Sequence, residues 1–305
     1  MRIEVEHEAV LRFATGEPVR AASAIAPFGE GWLVAQDNAT HAAWHRPGGT
    51  TPVRVLPAID GHEVFSSVAG TKHLKPDFEA ACEIQADEGA GVLLLGSGST
   101  RARMRSSFVT SAAPSPSFVV ADLTGLYDTV ADALDMPVGH LNLEGACRRG
   151  DRLRWFQRGN AAAGVSSASV DVDVRALGRA AIGHIRPEAV SAGTVRRYDL
   201  GAVRGVPLAV TDAVALPDGR ILVSAAAENT PNPVDDGPVV AAALALLDDD
   251  RVDAVAQLPQ HGDAVQKIEG LALASAEHDG VRLLAVVDAD DPYIPSTISH
   301  LRVRW

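Results

Sequence analysis

Cysteine is nearly absent from this chain of 305 residues. Cys82 and Cys147 are too few for a disulfide framework, and neither has enough ligand-type neighbours in sequence for a metal site. Positive charge is also short. Lys and Arg number 27 against 39 Asp and Glu, a formal charge of −12, which argues against a nucleic-acid or anionic-membrane surface and makes cations the better partners. No apolar run approaches the roughly 18 residues of a membrane span. No basic segment followed by an apolar one opens the chain at Met1–Glu6, so the expectation is a soluble, cytoplasmic monomer. Aromatic residues make up only 5%. No G-x-S-x-G elbow is present, the GSGSTR segment at 96–101 lacks the Lys-Ser/Thr of a phosphate loop, and no organic cofactor is indicated.

Helical periodicity is scarce as well. It is clear only over 123–134, where Leu123, Leu126, Val130, Ala133 and Leu134 share one face and predict a short helical insertion. What fills the rest is short aliphatic strands closed by turn chemistry: PFGEG at 27–31, ADEGAG at 86–91, RRGD at 148–151, PDG at 217–219 and EHDG at 277–280. Each turn divides a small-residue strand (ASAIA, FEAACEI, LEGACR, TDAVAL, IEGLALA) from a second strand (WLVAQD, VLLLGS, LRWFQR, ILVSAA, LLAVVD). The unit occurs five times.

Four first strands open with an acid: Glu79, Glu144, Asp212 and Glu269, spaced by 65, 68 and 57 residues, with Ser23 in the corresponding place of the first unit. A period near 60 suits a four-stranded antiparallel blade with generous loops. Further strands are expected around 118–121 and 239–247. The chain therefore reads as one all-β domain over 1–305, a single β-propeller of five blades with six as the alternative. The N-terminal strand near 3–13 pairs with the C-terminal one near 298–303 to close the ring.

In such a ring the first strand of each blade lines the axis, and its start and the end of the second strand lie on one face. The blade-leading acids should then meet at one mouth of the channel, joined by residues after each second strand: Asp37 and Asn38, Ser97 to Ser99, Arg158 and Asn160, Glu228 and Asn229, and Asp288 to Asp291. Crowded carboxylates must share protons, pair with cations or bind a metal. Oxygen donors favour Ca2+ first and Mg2+ second. The metal set expected is Glu79, Glu144, Asp212, Glu269 and Asp288. Lys72, His73, Lys75, Arg101, Arg103, Arg105, Arg158 and Lys267 bring positive charge to the same face, which suits a small anionic ligand bridging to the cation; His73, Arg101, Arg103, Arg158 and Lys267 with Asn160, Glu228 and Asn229 are the expected ligand set.

The segments LNLEGAC at 141–147, QKIEGLAL at 266–273 and LLAVVDADDP at 283–292 resemble the phytase-like, or esterase-like, β-propellers and the related SdiA-regulated propellers. The pattern at 211–229 with the loop at 96–100 is similar to that of an uncharacterised bacterial propeller family of about this length. The resemblance implies a propeller whose axial acids bind calcium and, for some relatives, hydrolysis of phosphate or carboxylic esters, with Glu144 and Glu269 in catalytic roles. Only these two stand in full E-G motifs, since Glu79 is followed by Ala80 and Asp212 by Ala213. The competing expectation is a non-enzymatic scaffold that binds a protein or peptide partner across the disc. Cys82 and Cys147 each stand three residues after a blade-leading Glu and should be buried and unpaired.

Overall fold

The computed structural model describes residues 1–87, 89–111, 115–228, 238–259, 265–289, 291 and 293–305. Among these, alternating aliphatic runs separated by Gly- and Asp-containing turns form five antiparallel sheets. Blade one is β2 (Ala22–Phe28), β3 (Gly31–Gln36), β4 (His41–Arg46) and β5 (Gly49–Arg54). Blade two is β6 (Phe78–Ala86), β7 (Gly89–Gly96), β8 (Arg105–Thr110) and β9 (Ser117–Asp122), and blade three is β10 (Leu143–Arg149), β11 (Arg152–Gln157), β12 (Ser167–Asp173) and β13 (Ala192–Tyr198). Blade four is β15 (Val206–Ala215), β16 (Ile221–Glu228), β17 (Val239–Asp248) and β18 (Arg251–Gln257), with the two-residue strand β14 (Ala202–Val203) added beside β15. Blade five takes β19 (Ile268–Glu277), β20 (Gly280–Val287) and β21 (Thr297–Arg304) from the C-terminal part and β1 (Arg2–Val10) from the N-terminal part. The molecule is a five-bladed β-propeller, and the pairing of β1 with β21, Ile3 opposite Val303 and Val10 opposite Thr297, closes the ring.

Inner strands of successive blades pack side by side, and the core lies between sheets rather than around one centre. Trp155, Phe108, Leu93 and Ile84 fill the space between blades two and three. The expected helix is α1 (Thr124–Leu134), and its Leu126, Tyr127, Val130 and Leu134 extend that cluster. A second helix, α2 (Val174–Ala181), begins at an Asp173 cap whose carboxylate accepts from Ala176 N at 2.7 Å. It buries Val174, Leu177, Ala180 and Ala181. Its 3–4 spacing over only eight residues is shorter than the window in which a helical period declares itself.

Every inner strand carries a β-bulge, near its start in four of them and midway along β15. The registers slip between Ala22 and Ala24, Phe78 and Ala80, Leu143 and Ala146, Val210 and Asp212, and Ile268 and Gly270. The residues at the slips are Ser23, Glu79, Glu144 with Gly145, Thr211 and Glu269. A bulge re-aims one side chain out of the alternating pattern, and here it does so five times around one axis.

The glycine after two of these glutamates answers a second demand. A Cβ on Gly145 would lie 2.6 Å from the Asp212 Cα of β15, and one on Gly270 would lie 2.9 Å from the Ala24 Cα of β2. Inner strands converge so closely at the axis that a side chain on either would strike the next blade's backbone. The E-G pair is therefore one acid aimed at the axis and one gap that lets neighbouring blades meet.

Candidate functional site

At the mouth where the inner strands begin, a cavity of about 80 Å³ is lined almost wholly by polar groups. Three of the acids on its wall, Asp37, Asp77 and Glu79, place carboxylate oxygens within 4.8 Å of one another. Asp37 follows β3, Asp77 precedes β6 with φ +57°, and Glu79 is the bulged residue of β6. Lys75 lies between the two aspartates, its Nζ 2.5 Å from Asp37 Oδ2 and 2.7 Å from Asp77 Oδ1. Arg103 reaches Asp77 Oδ2 at 2.9 Å and donates to Ser99 Oγ at 2.8 Å, and Ser97 donates to the same Asp77 oxygen.

These contacts set the ionisation of the trio. Burial by itself would raise the Asp77 carboxyl, but Lys75, Arg103 and the Ser97 hydroxyl hold it below its ordinary value. Burial outweighs Lys75 at Asp37 and holds that carboxyl above the ordinary value. Lys75 is raised well above the ordinary lysine range, because the surrounding carboxylates outweigh the burial that would lower it. Glu79 is pushed well above the carboxylate range by burial, then by the charges of Asp77 and Asp37. Among the described residues Glu79 makes no hydrogen bond or ion pair.

The opposite wall is an alternating chain of charge. Arg158, just after β11, bonds Glu144 Oε1 at 2.9 Å and Glu228 Oε2 at 2.5 Å. Lys267, just before β19, reaches Glu228 Oε2 at 3.2 Å and Glu269 Oε1 at 2.8 Å. Asn142 donates to Glu144 Oε1 at 2.8 Å. Burial raises the Glu144 carboxyl above its ordinary value against the pull of Arg158 and Lys267. Asp288 stands at a third point, its Oδ1 accepting from Ala21 N at 2.9 Å and Ser296 Oγ at 2.6 Å.

The structure thus brings together Glu79, Glu144, Glu269, Asp288, Arg103, Arg158 and Lys267 on the cavity wall, with Glu228 directly behind Arg158 and Lys267. It does not bring Asp212 there. The bulged position of β15 is Thr211, and a one-residue step along a strand turns a side chain to the other side. Asp212 is buried beneath the mouth, where its carboxylate accepts from the Leu271 amide of the next blade at 2.6 Å and also bonds the Ala213 and Ala146 amides. Burial pushes it well above the carboxylate range despite these bonds.

Arg101 is exposed and pairs with Asp128 at 2.9 Å, and His73 is exposed on the short 3-10 turn at Lys72–Leu74. Asn160 caps another 3-10 turn by accepting from Ala163 N at 3.2 Å and lines a neighbouring hollow of about 700 Å³, which also includes Arg158 and Glu228. Asn229 lies outside the described residues. Asp37, Lys72 and Lys75, which the sequence places at this mouth without a named role, line the cavity as well, and the two polar lining residues that sequence reading misses are Asp77 and Asn142. Asp77 and Asn142 could have been found as the residues two before the bulged acids Glu79 and Glu144. Cys82 and Cys147 are buried and unpaired, and burial raises both thiols, Cys82 to about 12.

Among solved structures, the chain is similar to a luciferin-regenerating enzyme (9% identity, 95% of this chain and 79% of that one, TM-score 0.41). It is similar to a putative glucose dehydrogenase-type oxidoreductase from Thermus thermophilus (13%, 99% of both chains, TM-score 0.41). It is also similar to the N-terminal domain of Nup159 (10%, 91% and 74%, TM-score 0.34). No curated protein matches the sequence. One family model matches residues 71–292, which hold all of the cavity's charged groups except Asp37, and the chain belongs to that family, a family of unknown function (DUF6910).

Proposed function

We propose that the axial cavity binds a hard divalent cation, Ca2+ before Mg2+, at Asp37, Asp77 and Glu79, and through it a small anionic ligand. The observation that carries this reading is Glu79: a desolvated carboxyl on a cavity wall, close to two other carboxylates, with no bond of its own among the described residues. Such a group requires a proton or a cation. The spacing suits calcium, whose ligands at about 2.3–2.6 Å leave any two donor oxygens no more than about 5 Å apart. Binding requires the Lys75 ammonium to give way and Glu79 to release its proton.

Lys72 lines the cavity with no ion pair among the described residues and is the cation best placed for the anionic part of a ligand. The chemistry this arrangement supports is metal-assisted hydrolysis of a phosphate or carboxylic ester. The cation would polarise the ester, and the raised Glu144 carboxyl, with Glu269 beside it, would take the proton of the attacking water. This agrees with what the phytase-like and esterase-like resemblance implies. A scaffold reading has one observation in its favour: Val68, Tyr293, Val64 and Ile294 are exposed on loops of the same face, at 83%, 79%, 55% and 47%.

The test is elemental mass spectrometry on protein purified without chelator, with calcium titrations of the wild type and Glu79→Gln. Stoichiometric calcium, or a rise in Tm on adding it, that Glu79→Gln abolishes supports the site and directs an ester screen in which Glu144→Gln and Glu269→Gln lose turnover. No bound metal and no calcium-dependent stabilisation would sink it. Loss of a captured partner on Tyr293→Ser, with no metal effect, would favour the scaffold.

A further inference from the structure

On the face opposite the cavity mouth, between blades three and four, an open hollow of about 470 Å³ is lined by Arg148, Arg149, Arg152, Arg154 and Arg196, with Asp171 as the acid on its wall. Five guanidinium groups around one hollow are unexpected in a chain carrying a formal charge of −12. Part of the cluster has a structural explanation. Arg154, with its side chain 2% exposed, donates Nε to Asp171 Oδ1 at 3.0 Å and its terminal nitrogens to Asp249 O and Oδ1 at 3.1 and 2.9 Å, clamping blade three to blade four. Arg196 joins the clamp through Asp171 Oδ2 and Asp249 Oδ1, both at 2.8 Å.

The clamp does not account for the other three. Arg149 reaches Asp249 Oδ1 only at 3.3 Å, so three guanidinium groups converge on a single carboxylate oxygen that cannot neutralise them all. Arg148 meets no carboxylate among the described residues and bonds only Gly150 O. Arg152 stands 4.0 Å from an Asp151 that is 86% exposed, a pairing of little energy. Asp171, Asp249 and the weakly held Asp151 thus face five arginines that the β10–β11 hairpin and β13 present around an open space, with the 217–219 turn as its further wall. Crowded guanidinium groups lower their mutual repulsion by sharing an oxyanion, and their planar donors match phosphate oxygens two at a time.

We propose that this hollow is an anion site for a small molecule bearing a phosphate or diphosphate group, separate from the axial cavity. Arg154 and Arg196 form its fixed floor, and Arg148, Arg149 and Arg152 close on the oxyanion from the rim. The volume exceeds that of a phosphate group alone and lies in the range of small-molecule sites.

Inorganic pyrophosphate is the probe. Calorimetric titration is compared between wild type, the rim variant Arg148→Gln/Arg149→Gln and the axial variant Lys72→Met, all at matched ionic strength. The expected result is one pyrophosphate per chain, bound about tenfold or more weakly by the rim variant, as loss of a charge-assisted bond predicts, and unchanged in Lys72→Met. Binding that sodium chloride of equal ionic strength abolishes, that the rim variant keeps, that Lys72→Met removes, or that citrate matches would each overturn the proposal. Because Arg148 is exposed and Arg149 lies outside the clamp's shortest contacts, the rim variant should keep the wild-type far-UV spectrum, which is read alongside.

Discussion

At the scale of single residues, Glu79 and Asp212 share a cause, burial, and differ in what burial leaves them. Glu79 faces a cavity without a bonding partner among the described residues, whereas Asp212 is tied to backbone amides of both flanking blades. In the unfolded chain Glu79 titrates near 4.5 and in the fold well above it. Between those values the native state holds the extra proton, so stability is full below pH 4.5 and is lost as pH rises through the folded value. Glu79→Gln should flatten that fall by about 1.4 kcal/mol per pH unit, read from urea midpoints across the pH range; a slope equal to that of the wild type would contradict the assignment. Asp212→Ala removes the acceptor of the Leu271 amide and should cost about 1–3 kcal/mol while leaving calcium affinity unchanged, a separation that titration calorimetry can read.

At the scale of elements, the bulge and the glycine beside it are one device. The bulge turns Glu144 or Glu269 to the axis, and Gly145 or Gly270 admits the backbone of the neighbouring inner strand. Adding a methyl group at Gly145, 2.6 Å from Asp212 Cα, should separate β10 from β15 and lower stability by about 1–3 kcal/mol in a denaturant series. Gly139→Ala, whose Cβ would meet nothing within 4 Å, serves as the neutral comparison. Equal midpoints for the two variants would mean the close approach carries no constraint. The five hairpins, the ring closure and α1 were legible in sequence, because alternation, turn residues and helical period are local properties. The fourth blade's bulge position was not: Thr211 and Asp212 are adjacent, and which one faces the axis depends on where the pairing slips, a matter of two strands rather than one.

At the scale of the whole molecule, β1 holds the ring shut. Its eight register pairs with β21 and the Glu6–Arg282 ion pair at 2.9 Å join the two ends of the chain. Deleting residues 1–10 would leave β21 as an open edge with Val303 and Leu301 beneath it, an invitation to pairing between copies. Size-exclusion chromatography of that truncation should show dimers or larger species and a lowered urea midpoint; a monomer with an unchanged midpoint would show that closure is dispensable. No helix among the described residues is long and apolar enough to cross a membrane.

Composition and period by themselves determined a five-unit β ring with acids collected at one mouth, because hydrophobic alternation and turn chemistry are written in consecutive residues. Only the tertiary structure decided which acids share a space. Asp37 and Asp77 stand 40 residues apart and meet through Lys75, Glu144 and Glu228 meet through Arg158, and Arg149, Arg154 and Arg196 of blade three converge on Asp249 of blade four. Pairings of this kind depend on the separation of neighbouring blades, which the packed core between the sheets sets and no local segment encodes.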